Sequence, residues 1–542
     1  MSKGVAGEQE VVLPIGGIGQ RFDNDSPDYV FSPDIYLVLA LSYDSMAGPE
    51  ANVDSDGVIS PDFTRMRPRL AVDWHEEESG DWVVELRPGQ VSHAGNELTA
   101  DDLVWGFDKA VAQGVMAAWR FAGVIGVERV EAIGRHRARF CLRAPYETFP
   151  NWLLSVSPNN VDSTEVRSHA TVSDPWGLTW LDEHVAGWGP YRLAEMDREH
   201  LLFEARPQYW AGLAEPRMID VRAFDCRRDA VNLLKESRPV VILGTDPDET
   251  AALMSDDDLT VLRTWAGHVS VEIDFTQPPF DDIRVRHALA LATPYERVRA
   301  EGLLGMARPW RSPVKGTSQW YLDSPLPYSY RPAAARQLLS EAGLGGGLSC
   351  DFFVERQPSC ERIASIIGQA WREVGVELIF RDISEAPEGW LPPLSLRTEC
   401  GHNLTEPLYD IAHDYAAMNP LLPLPGGPTH VGNWRPRWNK NPAILNQFAD
   451  LLVTTDRAAR REKFDQLQRD IVAFGSSIFL AEMQQVTVAN QYVPRALLAP
   501  HTRLFQATSY QNPRADNYLP PRPPSAVPTI SFIKQPESQT PA

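Results

Sequence analysis

Three histidines, His402, His413 and His430, fall within one irregular stretch that also carries Glu399, Cys400, Asp410 and Asp414. Imidazole, thiolate and carboxylate are the groups that ligate transition metals or move protons near neutral pH. Their spacings here match no ligand pattern, and the chain has no CxxC pair, so no metal centre is expected. If the chain were an enzyme, Asp410, His413 and Asp414 would be the first candidates for acid–base roles. Other catalytic signatures are absent: there is no Walker A loop, no HExxH, no GxSxG and no EF-hand loop. Gly16, Gly17 and Gly19 follow a short apolar run, but not at the spacing of a dinucleotide fingerprint, and read as a loop bordering a cleft. No cofactor is expected.

Aromatic residues are more informative. Sixteen Trp and fifteen Tyr occur, and Tyr43, Trp188, Trp310, Trp320, Tyr321, Trp390, Tyr415 and Trp434 all fall in predicted loops. Such rings give a rigid, amphipathic lining to a site for an organic ligand. Packing between domains is the alternative use of each one.

The 542 residues suggest two to four domains. At 43% hydrophobic and 23% charged, the composition is that of a globular protein. With 51 Lys+Arg against 72 Asp+Glu, the formal net charge of −21 disfavours nucleic acid and anionic membrane surfaces as partners. No apolar run approaches the ~18 to 20 residues of a membrane helix; Val240 to Leu243, between Pro239 and Gly244, is typical and suits a buried strand. The first residues, MSKGVAGEQEVVLPIGG, hold no apolar core of a secretory signal, which leaves either a removed signal or a cytoplasmic protein. Five widely spaced cysteines, Cys141, Cys226, Cys350, Cys360 and Cys400, read as free thiols.

Helical and strand periods mix along the chain. Trp82, Val84 and Leu86 share one face of a strand, and a capping box at Thr99 and Asp102 opens a helix carrying Leu103, Phe107, Ala110 and Val111. Arg137–Leu142 alternates as a second strand, as do Val271, Ile273 and Phe275. Asp281 and Asp282 can cap the next helix; Pro332 opens one that Gly343 ends; Ile363 to Val374 forms another, closed by Gly375. Phe464, Leu467 and Ile471 mark a late helix before a strand-rich Ile478 to Val488. This alternation predicts an α/β protein. Residues 416–440 read as a long surface loop, and the proline-rich stretch beyond Tyr518 as an extended tail.

Several segments, taken in order, resemble the family 5 extracytoplasmic solute-binding proteins of ABC transporters, the oligopeptide, dipeptide and nickel binders. They are Pro68-Arg69-Leu70-Ala71-Val72-Asp73-Trp74, Trp82 to Gly89, Leu98-Thr99-Ala100-Asp101-Asp102-Leu103, Gly187-Trp188-Gly189-Pro190-Tyr191, Arg206-Pro207-Gln208-Tyr209-Trp210, Pro279 to Ala288 and Ala334 to Gly343. The resemblance implies a two-lobed, hinged fold of the large periplasmic-binding type with an extra inserted domain. Lobe I would take residues 1–48, 175–270 and 486–542, the inserted domain 49–174, and lobe II 271–485. A small organic ligand, a peptide or an opine-like or sugar-containing conjugate, would be enclosed between the lobes and passed to an ABC permease. It also implies a monomer outside the cytoplasm that does not insert into the membrane. In the peptide binders a late "DYxDP"-like segment holds the ligand's ammonium group; the nearest match here is Asp414-Tyr415-Ala416-Ala417-Met418-Asn419-Pro420, with Asn before Pro. Tyr43, Trp188, Trp320, Asp414 and Tyr415 are therefore the expected ligand-binding residues. The alternative is a cytoplasmic enzyme on the same scaffold, with the closed cleft as active site.

Overall fold

Short alternating runs and capped amphipathic stretches become strands and helices in the computed structural model, which describes residues 10–15, 37–113, 126–146, 149–152, 161–197, 199–224, 227–243, 246–314, 316, 318, 320–383, 392–400 and 441–499. The first strand, β1 (Glu10–Ile15), turns Val11 and Leu13 into one core and Val12 into another. The strands β2 (Ala47–Val53) and β3 (Ile59–Pro68) form a hairpin. Asp54 closes its turn by accepting from the backbone N–H groups of Asp56 and Val58.

A small antiparallel sheet follows. It contains β4 (Ala71–Glu76) and β5 (Trp82–Leu86), and, after helix α1 (Ala100–Gln113), β6 (Val127–Gly134) and β7 (Arg137–Leu142), in the order β4-β5-β7-β6. The expected capping box at the start of α1 is present with Asp in the reaching position. Asp102 Oδ2 accepts from Thr99 N at 2.8 Å, and its Oδ1 accepts from Ser163 N at 3.0 Å and Ser163 Oγ at 2.7 Å. Burial pushes the Asp102 carboxyl upward, against the pull of these donors.

Next, β8 (Tyr191–Met196), β9 (His200–Ala205) and β10 (Met218–Ala223) form an antiparallel meander, and β1 pairs in parallel with β10 to complete a second four-stranded sheet. Then come β11 (Val241–Leu243), α2 (Pro247–Leu253), the long β12 (Leu259–Ile273), α3 (Ile283–Ala292), the two-residue β13 (Ala307–Arg308), α4 (Pro332–Glu341), β14 (Leu348–Val354), α5 (Pro358–Arg372), β15 (Val376–Asp382), β16 (Leu394–Cys400), α6 (Arg457–Phe474) and β17 (Ser477–Asn490). Asp282 caps α3 through Arg284 N at 2.8 Å, and Pro332 and Pro358 open α4 and α5. A nine-stranded sheet runs β11-β17-β12-β16-β14-β15, with β13 on β17 and the β2–β3 hairpin on β12. Cys141, Cys350 and Cys360 are free thiols.

Strands β12 and β17 are the spine of the molecule. They pair antiparallel from Leu259 opposite Asn490 to Glu272 opposite Ser477. All 14 residues of β17 are buried. At one end they meet β11, next to the β1 sheet; at the other they meet β16 and β14, under α3 and α5.

The first sheets are locked together by Gly187-Trp188-Gly189-Pro190-Tyr191, which lies against the π-helical turn Leu39–Tyr43. Gly189 N donates to Ser42 O at 2.8 Å, and a Cβ on Gly189 would stand 2.4 Å from the carbonyl carbon of Ser42. Arg206 bridges the same joint, donating to the carbonyls of Gly189, Val91 and Ser92. We expect Gly189→Ala to destabilise the protein by about 2 kcal/mol or more in denaturant titration, since backbone must move to admit the methyl group. Gly346→Ala, with open space around it, should stay within about 0.5 kcal/mol of the parent.

Candidate functional site

At its midpoint the β12–β17 ladder breaks. Register shifts fall between Trp265 and Gly267 and between Val269 and Ser270. Bulges of this kind re-aim side chains and bend a strand. Four separate segments converge on the break. Trp265 donates from Nε1 to Asp54 Oδ2 at 2.9 Å, so the tip of the β2–β3 hairpin docks on β12, and Arg263 donates to Asp56 O beside it. Burial opposes it, but the bonds from Trp265, Val58 and Asp56 hold the Asp54 carboxyl below its ordinary range.

From the other side, β13 pairs with the centre of β17, Ala307 opposite Met483 and Arg308 opposite Glu482. The Arg308 guanidinium lies over the Trp265 ring, 4.4 Å from its centroid, and donates from Nε to Glu482 Oε2 at 2.7 Å. Glu482 is 3% exposed and Arg308 36%. A buried carboxylate is tolerable because the arginine neutralises it. Gly316 is pressed against both: a Cβ there would stand 2.5 Å from Glu482 Oε2 and 2.9 Å from Arg308 Nη2. Burial, then the charge of Asp323, raises the pKa of the Tyr321 phenol. The His268 ring lies 4.3 Å from that of Trp310, tilted by 39°, and Trp310 meets Phe479 edge-on at 4.6 Å. Trp310 Nε1 donates to Val314 O at 3.0 Å.

Two polar atoms enclosed here have no partner among the described residues: Arg308 Nη2, a donor, and Gln484 Oε1, an acceptor. The arrangement is suited to binding. Its carboxylate is held by an arginine, so it is poorly placed as a general base, while aromatic walls and fixed polar groups suit an organic guest.

The residues expected from sequence lie elsewhere or outside the described part. Tyr43 and Trp188 are brought together in the Gly187–Tyr191 joint; both are buried, and the Tyr43 hydroxyl accepts from Ala186 N at 3.3 Å. Trp320 is not with them: it packs edge-on against Phe464 of α6, with Arg461 over its face at 5.1 Å. Asp410, His413, Asp414 and Tyr415, like the 416–440 loop and the proline-rich tail, lie outside the described residues, as do Gly16, Gly17 and Gly19. Trp265, His268, Arg308, Glu482 and Gln484 were not anticipated. Their signal was the polar run Glu482-Met483-Gln484-Gln485 inside a strand otherwise apolar enough for a core.

Comparison with known proteins decides the family. Residues 65–403 match the model for "Bacterial extracellular solute-binding proteins, family 5 Middle". The chain belongs to this family. It is 23% identical over 431 residues to the glutathione-binding protein GsiB of Pectobacterium atrosepticum, covering 78% of this chain and 81% of that one. The dipeptide-binding protein of Escherichia coli is 25% identical over 377 residues, 64% of this chain and 68% of its own. Among solved structures, the substrate-binding protein CtaP of Listeria monocytogenes superposes with a TM-score of 0.73 at 17% identity, over 93% of this chain and 98% of that chain. The binding protein DppA of Helicobacter pylori, in complex with the peptide STSA, gives 0.70 at 17% identity, over 89% and 94%. The fold is thus the two-lobed α/β fold of the family 5 binding proteins, and the protein is a solute-binding protein of the ABC-transporter type.

In a family 5 binding protein the joints within a lobe must stay rigid while the lobes move. His93 sits at the Gly187–Tyr191 joint, its backbone N–H donating to Gly187 O at 3.0 Å. Burial, aided by the Arg206 guanidinium, pushes its imidazole down to about 3. An unfolded chain has an ordinary histidine near pKa ~6.5, so it takes up a proton that the folded state refuses. The stability held above that pH is therefore lost as pH falls from about 6.5 towards 3. Between pH 7 and pH 5 we expect the parent to lose about 2 kcal/mol more than His93→Asn, read from paired denaturation curves; parallel curves would remove His93 from this role.

Proposed function

We propose that this protein captures a peptide, or a peptide-like conjugate, between its lobes outside the cytoplasm and, as a monomer, hands it to an ABC permease. The observation that carries the reading is the broken centre of the β12–β17 ladder, where aromatic rings, a clamped arginine and two unpartnered polar atoms meet at the crossing between lobes. The named relatives include binders of dipeptides and glutathione, and one solved relative is in complex with mannopinic acid.

In this reading, lobe I comprises residues 1–48, 175–270 and 486–542, the inserted domain 49–174 and lobe II 271–485. The β1-β10-β9-β8 sheet, the β4-β5-β7-β6 sheet and the sheet region around β14–β16 support the three units, with the β2–β3 hairpin leaning on the crossing. Tyr43 and Trp188 brace the site from within lobe I, and Trp320, held between Phe464 and Arg461, borders it from lobe II. Asp414 would hold a cationic group on the ligand, with Tyr415 beside it.

Closure has a candidate latch. Asp246 and Asp248, at the start of α2, face the start of α5. Ser359 Oγ donates to Asp246 Oδ2 at 2.5 Å, and Arg362 Nη1 donates to both carboxylate oxygens of Asp248, at 2.7 and 2.8 Å. Arg362 also donates from Nη2 to Gly302 O at 2.7 Å, which fixes it to lobe II. Burial opposes it, but the Arg362 guanidinium holds the Asp248 carboxyl below its ordinary range.

Titration calorimetry against a panel of di- to tetrapeptides tests the function: one site and no turnover of the bound compound is the expected result, and release of a new product would reject it. For the latch, Arg362→Ala should weaken the best panel peptide about fivefold, about 1 kcal/mol, and enlarge the radius of gyration of the peptide-bound protein. Unchanged affinity and size would mean that α2 and α5 merely touch.

A further inference from the structure

Helix α6 carries two polar residues on the face it buries. Its buried positions are Arg460, Phe464, Leu467, Gln468, Ile471 and Val472, which recur at helical spacing along one stripe. Phe464, Leu467, Ile471 and Val472 need only apolar surroundings and find them in the largest core of the molecule. Arg460 and Gln468 are 5% and 1% exposed, and eight residues put them about 12 Å apart along the helix. A buried guanidinium and a buried amide are costly unless partners elsewhere satisfy them. Each therefore marks a joint between α6 and another part of the chain.

Gln468 meets the wall of the crossing. Its Oε1 accepts from Ser312 Oγ at 2.5 Å and from Leu322 N at 3.2 Å, and its Nε2 donates to Trp320 O at 3.1 Å. One amide thus pins three points of the 310–322 segment. Ser312 Oγ in turn accepts from Val314 N at 3.1 Å, and Val314 O accepts from Trp310 Nε1 at 3.0 Å. This series of bonds ends at the ring beside His268, and Gly316 of the same segment is packed against Glu482 and Arg308. Arg460 joins the first turn of α6 to residues 49–174. Its Nη1 donates to Pro145 O at 2.9 Å, and its guanidinium lies over the Tyr146 ring, 4.6 Å from the centroid. Among the described residues it meets this carbonyl and this ring rather than a carboxylate. Three residues earlier, Arg457 Nη2 donates to Glu76 Oε2.

We propose that α6 seats the wall of the ligand site against the inserted domain, with Arg460 and Gln468 as positioning residues: the first fixes the helix on Pro145 and Tyr146, the second fixes the 310–322 wall on the helix. The proposal rests on the capture of a solute at the crossing and on the division into lobes argued above, and it gives the inserted domain a part in that capture. A helix moves as a rigid element, so a shift at its first turn is passed to its third. Hydrogen bonds and ring contacts are directional, so a small shift of α6 loosens Ser312, Trp320 and Leu322 together.

Hydrogen exchange and calorimetry test this on the parent, Gln468→Met, Arg460→Met, Arg460→Lys and the double methionine variant. In the ligand-free proteins, the amides of Val314 and Leu322 should exchange at least tenfold faster in Gln468→Met and at least threefold faster in Arg460→Met, while the β12–β17 ladder keeps its parent rates. Arg460→Lys, which keeps the cation, should restore most of the protection. Either methionine variant should weaken the best di- to tetrapeptide about fivefold, and the double variant should weaken it no more than Gln468→Met alone. Parent rates at Val314 and Leu322 in Arg460→Met would overturn the seating. So would a Lys variant no better than Met, full additivity in the double variant, or an equal rise in exchange along the β12–β17 ladder, the mark of a merely structural arginine. If no peptide binds, the peptide reading fails and the exchange rates still decide the seating. If Arg460→Met does not fold, Glu76→Gln decides in its place: about twofold faster exchange at the same two amides is expected, and parent rates there would overturn the proposal.

Discussion

The antiparallel pairing of β12 with β17 is the constraint on which the rest of the molecule depends. The two strands are 15 and 14 residues long, and the second is buried along its whole length. A buried strand tolerates polar side chains only where each finds a partner, because an unmade hydrogen bond in low dielectric costs more than a made one returns. At the Asn490 end of β17 this requirement is met by the last residue of the strand. Asn490 accepts from Val240 N and donates to the carbonyls of Leu234, Glu236 and Arg238, and so ties off β17 and the turn before β11 with one side chain. At the other end, Glu272 accepts from Ser270 and Ser477. In the middle, at the bulges, Arg308 Nη2 and Gln484 Oε1 are enclosed without a partner among the described residues.

That failure is local and structured. A ladder running straight through would have let β12 and β17 pair as an ordinary two-strand ribbon. Beside the bulges, the outer edge of β17 takes up β13 and the outer edge of β12 meets the β2–β3 hairpin, which comes from the first part of the chain. Here segments nearly 430 residues apart, from Asp54 to Glu482, are brought together by side-chain contacts as well as by short stretches of strand pairing. Contacts of this kind can be exchanged for a guest at small cost, whereas the apolar cores to either side cannot.

Local signals made much of the scaffold legible. The capping box at Thr99–Asp102, the Asp282 cap, the first-turn proline Pro332 and the alternation in Trp82–Leu86 are short-range rules, and each appears where it was expected. The motif Gly187 to Tyr191 was legible as a resemblance, but its physical reason was not: that Gly189 must lie flat on Ser42 is a fact about a segment some 150 residues away. The site was harder still. Aromatic residues in loops drew attention to Tyr43 and Trp188, whose rings pack in a joint, and away from Trp265, which sits in a strand. Arg308 is one arginine among many in the sequence; only pairing with Glu482 across 174 residues distinguishes it. Glu482 and Gln484 did carry a signal, as polar residues in a buried apolar strand, because such a placement goes against the free energy of folding unless it serves something else.

Charge on two length scales bears on what such a crossing can accept. With a formal net charge of −21, the protein repels anions at a distance, though within about 10 Å of the surface ordinary salt screens most of that field. An anionic group on a ligand therefore gains nothing from long-range attraction and must be recognised at contact, by a donor that water cannot outcompete. A cationic group, by contrast, is drawn in by the acidic surface as a whole and needs less elaborate reception. A solute carrying one charge of each sign meets both conditions at once: its cation favours approach, and its anion is sorted at contact.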